Sequence, residues 1–357
     1  MCKERGLIYV TNSASDSVSV IDVATNKVIE TIPVGQRPFD IDVTPDDKSL
    51  YVANRCSNDI SVIKLKRNKV VKSIKVGNTP IDIDFQPDGN LNFAVNNDSN
   101  NVSVIDVEKN KVVKKIKVGK QPFTSSFTTN GDFYYVCNTG SNSVSVIDTT
   151  DLTVIKKIKV GKSPFQARVS RNNQQVYVPN RCSNTVSVID TATNKEIKQI
   201  KVGKQPGRNF VSRDNKLVFV SNTGSNSISV IDIATLTEIK QIKVGKEPFF
   251  AMFTPDGAFY YVSNDGENTI SVIDVRTLTE IKKIKVGESP AVGRFTPDGT
   301  RFYIPNSGAN TVSVIDTEKL KEIKQIKVGK SPEQALFVST ESSKPDLADL
   351  LIKWLCC

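Results

Sequence analysis

The sequence predicts an all-β fold: an eight-bladed propeller of four-stranded antiparallel blades. Three observations predict it: an internal period of 42 residues held over eight copies, four short β-prone runs in each copy, and ends that begin on a unit's second strand and stop on a first strand. The period is carried by Ser-Val-Ile-Asp, which starts at Ser19 and returns at Ser103, Ser145, Ser187, Ser229, Ser271 and Ser313, with Ser61-Val-Ile-Lys between the first two. Marching with it are an aromatic strand ending in Asn (Asn12, Asn54 and so on to Asn306) and a Val-Gly-x-x-Pro turn (Gly35 to Gly329).

Within one unit the runs Phe249–Thr254, Tyr260–Asn264, Thr269–Asp274 and Glu280–Val286 are separated by Gly, Pro, Asn and Asp, the pattern of a meander. Thr254-Pro-Asp-Gly257 suits a tight turn ending in a left-handed residue. No 3.6-residue period runs through the copies, which excludes the helical repeats of similar length.

These columns resemble the YVTN β-propeller repeat family, named for a strand that stands here as Tyr9-Val10-Thr11-Asn12. The resemblance covers roughly residues 5–338, without an insertion over eight copies. It implies a propeller of the kind found in bacterial and archaeal surface-layer or surface-associated proteins, with architectural kinship to redox enzymes and lactonases. A fold shared so widely says little about activity.

The first-strand run Pro332–Val338 has no partner except Gly6–Asn12. The expectation is one composite blade, with three strands from the amino end and one from the carboxyl end, that leaves no open edge. Seven blades with a leftover unit is the alternative. The propeller then occupies residues 1–338, and residues 339–357 form a linker and a short amphipathic helix. On that helix Leu347, Leu350, Leu351, Trp354 and Leu355 share one face for docking, and Cys356 and Cys357 end the chain. Cys2, Cys356 and Cys357 meet at one seam and are candidates for a terminal or intermolecular cross-link.

Composition limits the chemistry. The 357 residues carry 48 Lys and Arg against 38 Asp and Glu, a net charge of +10, which permits an anionic partner. Histidine is absent, which removes Ser-His-Asp and Cys-His couples, HExxH zinc sites and His-ligated haem. No run resembles a signal peptide or a membrane span, so the chain as written is expected in the cytoplasm, with a cell or spore surface reached by another route as the alternative. Cys56 and Cys182 stand in identical loops three units apart, too far to bridge, and Cys137 reads as a small buried hydrophobe.

Function is sought where the copies differ. The second and fourth positions after each repeat Pro fall beside the central channel. They give an acidic quarter (Asp40, Asp42, Asp82, Asp84), a basic set (Arg168, Arg208, Arg294) and an apolar stretch (Phe210, Phe250, Met252). The carboxylates are expected to pair with the arginines or line a solvated wall. The alternatives are a Ca²⁺ site and, through it, a metal-dependent lactonase or hydrolase.

After each turn glycine, Lys120, Lys162, Lys204, Lys246 and Lys330 share a rim with Arg55 and Arg181, a surface for an acidic protein or an anionic polymer. Lysines on the outermost strands read as protection against edge pairing. Nucleic acid is set aside because that strand has no interleaved aromatics. The Asn column is read as turn chemistry, each side chain bonding its own loop. Taken together, the sequence reads as a scaffold without enzymatic activity or cofactor, engaging a protein partner or a second copy through its loop face or tail.

Overall fold

The computed structural model describes residues 6–340. The predicted docking helix and the cross-link at Cys2, Cys356 and Cys357 lie outside those residues. Eight four-stranded antiparallel sheets follow one another, the first built from Pro38–Val43, Ser49–Asn54, Asp59–Lys64 and Lys69–Lys75. We number the blades from this one and name strands from the channel outward. Innermost strands contact those of neighbouring blades and so surround the axis, while outermost strands face solvent.

Blade 8 is the composite: Gly6–Asn12 pairs with Ser17–Asp22 on one side and with Pro332–Ser339 on the other, Leu7 opposite Val338 and Tyr9 opposite Leu336. Between blades lie apolar layers such as Tyr9, Val18, Leu50, Val52 and Ile63, all buried. Each layer joins two blades, so no blade completes its core alone. Among the described residues no helix is long and apolar enough to cross a membrane.

The Asn column departs from expectation. Each Asn is buried, and its Nδ2 donates to two side chains of the third strand instead of to its own loop. Asn180 donates to Thr185 Oγ1 at 3.0 Å and Ser187 Oγ at 2.8 Å, and Asn222 donates to Ser227 Oγ and Ser229 Oγ. The turn glycine lies flat against the same amide, and a Cβ added at Gly161 would stand 2.5 Å from Asn180 Cγ. Three of the marching columns, Asn, Ser and Gly, are therefore one contact repeated around the ring.

Two blades break the pattern. In blades 4 and 7 the innermost strand shrinks to Arg168–Val169 and Arg294–Phe295. These are the units whose second strand carries proline, at Pro179 and Pro305. Phe165 N–H still donates to Pro179 O at 2.9 Å, and Ala291 N–H to Pro305 O at 2.8 Å. The reciprocal donor is missing, because a residue's N–H and C=O point to the same neighbour and proline has no N–H. The released segment of blade 7 turns to blade 8, where Val292 N–H donates to Glu333 O and Ala335 N–H to Val292 O.

Candidate functional site

The upper face of the ring carries the Val-Gly-x-x-Pro turns and the loops after each Asn. The two are tied together: Arg55 N–H donates to Arg37 O, Arg181 N–H to Ser163 O and Gly140 N–H to Lys120 O. The residue before each proline is left-handed, as at Ser163 with φ 56°. Its N–H is held by an Asn or Asp of the preceding blade, as Ser163 is by Asn142 Oδ1 at 2.9 Å. The face is thus a set of braced turns, and all the predicted rim residues stand on it. Lys120, Lys162, Lys204, Lys246 and Lys330 are exposed. Arg55 differs, because its guanidinium lies 3.4 Å above the Phe39 ring and its Nε is buried.

Below this face the two predicted channel positions form two layers. In the upper layer Asp40, Asp82, Gln166 and Gln334 share an unforeseen task. Each reaches the next blade and bonds the backbone of its innermost strand. Asp40 Oδ2 accepts from Ile83 N–H at 2.8 Å, Asp82 Oδ2 from Ser125 N–H at 2.8 Å, and Gln166 Oε1 from Asn209 N–H at 3.0 Å. Gln334 Nε2 donates to Ile41 O at 3.2 Å, and Thr124 Oγ1 to Phe165 O at 2.8 Å. These are latches between blades. The latches do not continue through Arg208 and Phe250, where the Arg208 guanidinium instead lies 5.5 Å from the Phe250 ring and 5.7 Å from that of Phe249.

In the lower layer Asp84 Oδ2 accepts from Tyr134 OH at 2.8 Å and Ser125 Oγ at 3.1 Å, while Asp42 Oδ1 accepts from Val43 N–H at 2.9 Å. Burial pushes the Asp42 carboxyl up to about 7, with Asp84 and Asp40 adding to the rise and Arg294 opposing it. Burial also raises Asp84 to about 6, against the Tyr134 hydrogen bond. Asp82 is driven well above the usual carboxylate range by burial and by Asp84.

The expected pairing of these carboxylates with the channel arginines is electrostatic only, since no ion pair within 4.0 Å joins them among the described residues. Nor do the carboxylates converge as the Ca²⁺ expectation required. Among the described residues no three acidic or Cys side chains gather where an ion could be held.

The arginines are the contrasting group. Arg168, Arg208 and Arg294 each have a buried Nε without a hydrogen-bond partner. Arg168 lies 4.9 Å from the Phe210 ring. Between Arg208 and Arg294 the wall is apolar, with Phe210, Phe250 and Met252, and Tyr260 OH is buried and unpartnered there. Sequence reading missed the position just after each repeat Pro, although Phe39, Phe123, Phe165 and Phe249 were a visible column. These rings stand at the mouth of the channel under the rim, and Phe249 is 38% exposed.

Cys56 and Cys182 are free and exposed, and Cys137 is buried, its thiol pushed up by burial.

Comparison with known proteins gives three family matches on successive stretches. They are a seven-bladed β-propeller lactonase model over residues 3–123, a YNCE-like β-propeller model over 123–214 and a cytochrome d1 haem domain model over 209–341. They agree on a propeller built from repeats and do not single out the YVTN or surface-layer type. No curated protein matches the chain in sequence.

Among solved structures, hydrazine synthase of Kuenenia stuttgartiensis matches with TM-score 0.61 and 23% identity, over 74% of this chain and 96% of that one. The dihydro-haem d1 dehydrogenase NirN, in complex with DHE, matches with TM-score 0.80 and 18% identity, over 92% and 74%. A protein of unknown function from Desulfotomaculum acetoxidans matches with TM-score 0.66 and 16% identity, over 93% and 99%. At these identities the likeness carries the fold alone. The expectation of a chain without a cofactor is nonetheless overturned by the haem domain match over residues 209–341.

Proposed function

We propose that the protein is a binding propeller whose channel takes a planar ligand bearing carboxylates, a tetrapyrrole being the class suggested by the haem domain match. The observation that carries this reading is the unpartnered Nε of Arg168, Arg208 and Arg294, set around an apolar wall. Guanidinium groups recognise carboxylates through paired N–H donors, and a flat ring suits Phe210, Phe250 and Met252.

The donor set fits the organic part of such a group and not histidine ligation of its metal, since the chain has no histidine. The reading is therefore of a propeller that holds the group through its carboxylates and its ring. The buried carboxylates across the channel are engaged in hydrogen bonds within the wall, which weakens the hydrolase alternative.

The test is an absorbance titration with haem and with a metal-free porphyrin, on the wild type and on Arg208→Gln. Saturable binding of both, weakened about tenfold or more by the substitution, is the expected result. Absence of binding by either, or equal binding by the variant, removes the reading.

A further inference from the structure

The upper rim is electrostatically lopsided. From Asn100 to Lys246 its turns and loops read Val-Gly-Lys-Gln-Pro-Phe, Asn-Thr-Gly-Ser-Asn, Val-Gly-Lys-Ser-Pro-Phe, Asn-Arg-Cys-Ser-Asn, Val-Gly-Lys-Gln-Pro-Gly-Arg and Asn-Thr-Gly-Ser-Asn. No Asp or Glu stands among them. Lys120, Lys162, Lys204 and Lys246 occur at one position on successive blades, with Arg181 between, and no ion pair engages any of them. The rest of the rim mixes signs, with Asp98 on one flank of this arc and Glu247, Asp265, Glu267 and Glu288 on the other. The turns and loops from Lys120 to Lys204 thus carry no acidic side chain, and their backbone is braced by Ser141, Ser183 and Ser225, which bond the N–H groups of Lys120, Lys162 and Lys204, whereas at the end of the arc Glu267 Oε2 accepts from Lys246 N–H at 2.9 Å.

Aromatic rings stand inside the same arc. Phe123 and Phe165 pack with centroids 4.8 Å apart, and the Arg181 guanidinium lies 5.5 Å from the Phe165 ring. The next blade places Gly207 at the corresponding position, and the blade after that places exposed Phe249 there. A side-chain carbon added at Gly207 would meet nothing nearer than Thr223 Oγ1 at 3.9 Å and Phe165 Cδ1 at 4.0 Å. The absence of a side chain there leaves Phe165, which is partly exposed, without an aromatic neighbour from the next blade, Gly207 itself being buried. The outermost strands lack aromatics, but the mouth supplies them beside the lysines.

We propose that this arc of the upper face binds single-stranded nucleic acid, the phosphates following Lys120, Lys162, Arg181, Lys204 and Lys246 and a base stacking against the partly exposed Phe165. A row of cations one blade apart suits a linear polyanion, and rings among them suit bases, which stack on aromatic faces with little regard to sequence. The proposal stands on residues other than the channel arginines and does not depend on the ligand there.

The experiment is fluorescence anisotropy with a labelled oligo(dT) of about 16 nucleotides, repeated over a salt series and in competition with inorganic polyphosphate. About five neutralised phosphates predict a log–log salt slope near −3.5. Lys120→Glu with Lys162→Glu and Lys204→Glu, all at exposed turn tips, should reduce affinity at least a hundredfold and flatten the slope. Phe165→Leu, checked for an unchanged melting temperature, should cost about tenfold for oligo(dT) and leave polyphosphate binding as it was. Lys156→Glu, on an outermost strand, should change nothing. The proposal is overturned if oligo(dT) does not bind at low salt, if Phe165→Leu binds it as well as the wild type, or if Lys156→Glu matters as much as the rim lysines. The last two outcomes would describe a surface that attracts any polyanion.

Discussion

The acidic and basic sides of the channel look equivalent in a list of residues and are opposite in their bonding. Asp40, Asp82 and Asp84 accept hydrogen bonds from the blade that follows, so they belong to the wall. Arg168 and Arg208 rest on aromatic rings, and both they and Arg294 keep a buried, unpartnered Nε. Charge type alone does not separate structural from available groups, but hydrogen-bond accounting does.

The largest effect that would sharpen this contrast is on stability against pH. The folded-state pKa of Asp42, about 7, lies above its value in an unfolded chain, so folding favours its protonated form. The stability it contributes is complete below about pH 4 and is lost as pH rises through 7, with a slope of up to about 1.4 kcal/mol per pH unit. Asp84 acts in the same sense through about 6. Denaturant midpoints should therefore fall between pH 5 and pH 8, and Asp42→Asn should flatten the profile. A midpoint that rises over this interval would mean the carboxylates are ionised and compensated.

A smaller effect separates a latch from a charge. Asp82→Ala leaves the Ser125 N–H without its acceptor in a buried wall and should cost about 1–3 kcal/mol in urea unfolding. Asp82→Asn keeps an acceptor and should recover most of that loss. Equal losses for the two would assign the role to the charge. The smallest expected change is that of Arg208→Gln, within about 1 kcal/mol, because it removes cation–ring contacts with Phe249 and Phe250 and only an attraction beyond ion-pair distance to Asp82 and Asp40. A loss as large as that of Asp82→Ala would make the basic side structural too, and the contrast would fail.

How much of this could be read in advance follows from where each interaction leaves its trace. The blades, their strands and the composite closure were legible because their signals are columns: the Asn, Gly and Pro positions repeat at constant spacing, and Pro332–Ser339 pairs where the phase of the ends required. The role of the Asn column was misread because residue type admits both a loop bond and a cross-strand bond, and only burial beside Ser187 decides. The latches were invisible for another reason. Asp40 and Gln166 differ chemically, and their partners Ile83 and Asn209 act through backbone, which any residue supplies. Pro179 and Pro305 and the phenylalanines after the repeat prolines were open to view, but their meaning depended on which neighbour each backbone or ring faces.

The composite blade has a consequence for how the molecule comes to exist. Strand pairs within the other blades join neighbours in sequence and can form as soon as they are synthesised, whereas Gly6–Asn12 must wait for Pro332–Ser339, more than three hundred residues later. Until Pro332–Ser339 has been made, Gly6–Asn12 has an uncovered inner edge and the ring is an open arc. A chain cut and rejoined at any upper turn, so that all eight blades became continuous, should keep the same interior while exchanging this late strand pairing for a late face-to-face packing of blades. The native order thus makes a hydrogen-bonded ladder the step that closes the ring, a pairing that requires every repeat between the two strands to be in place.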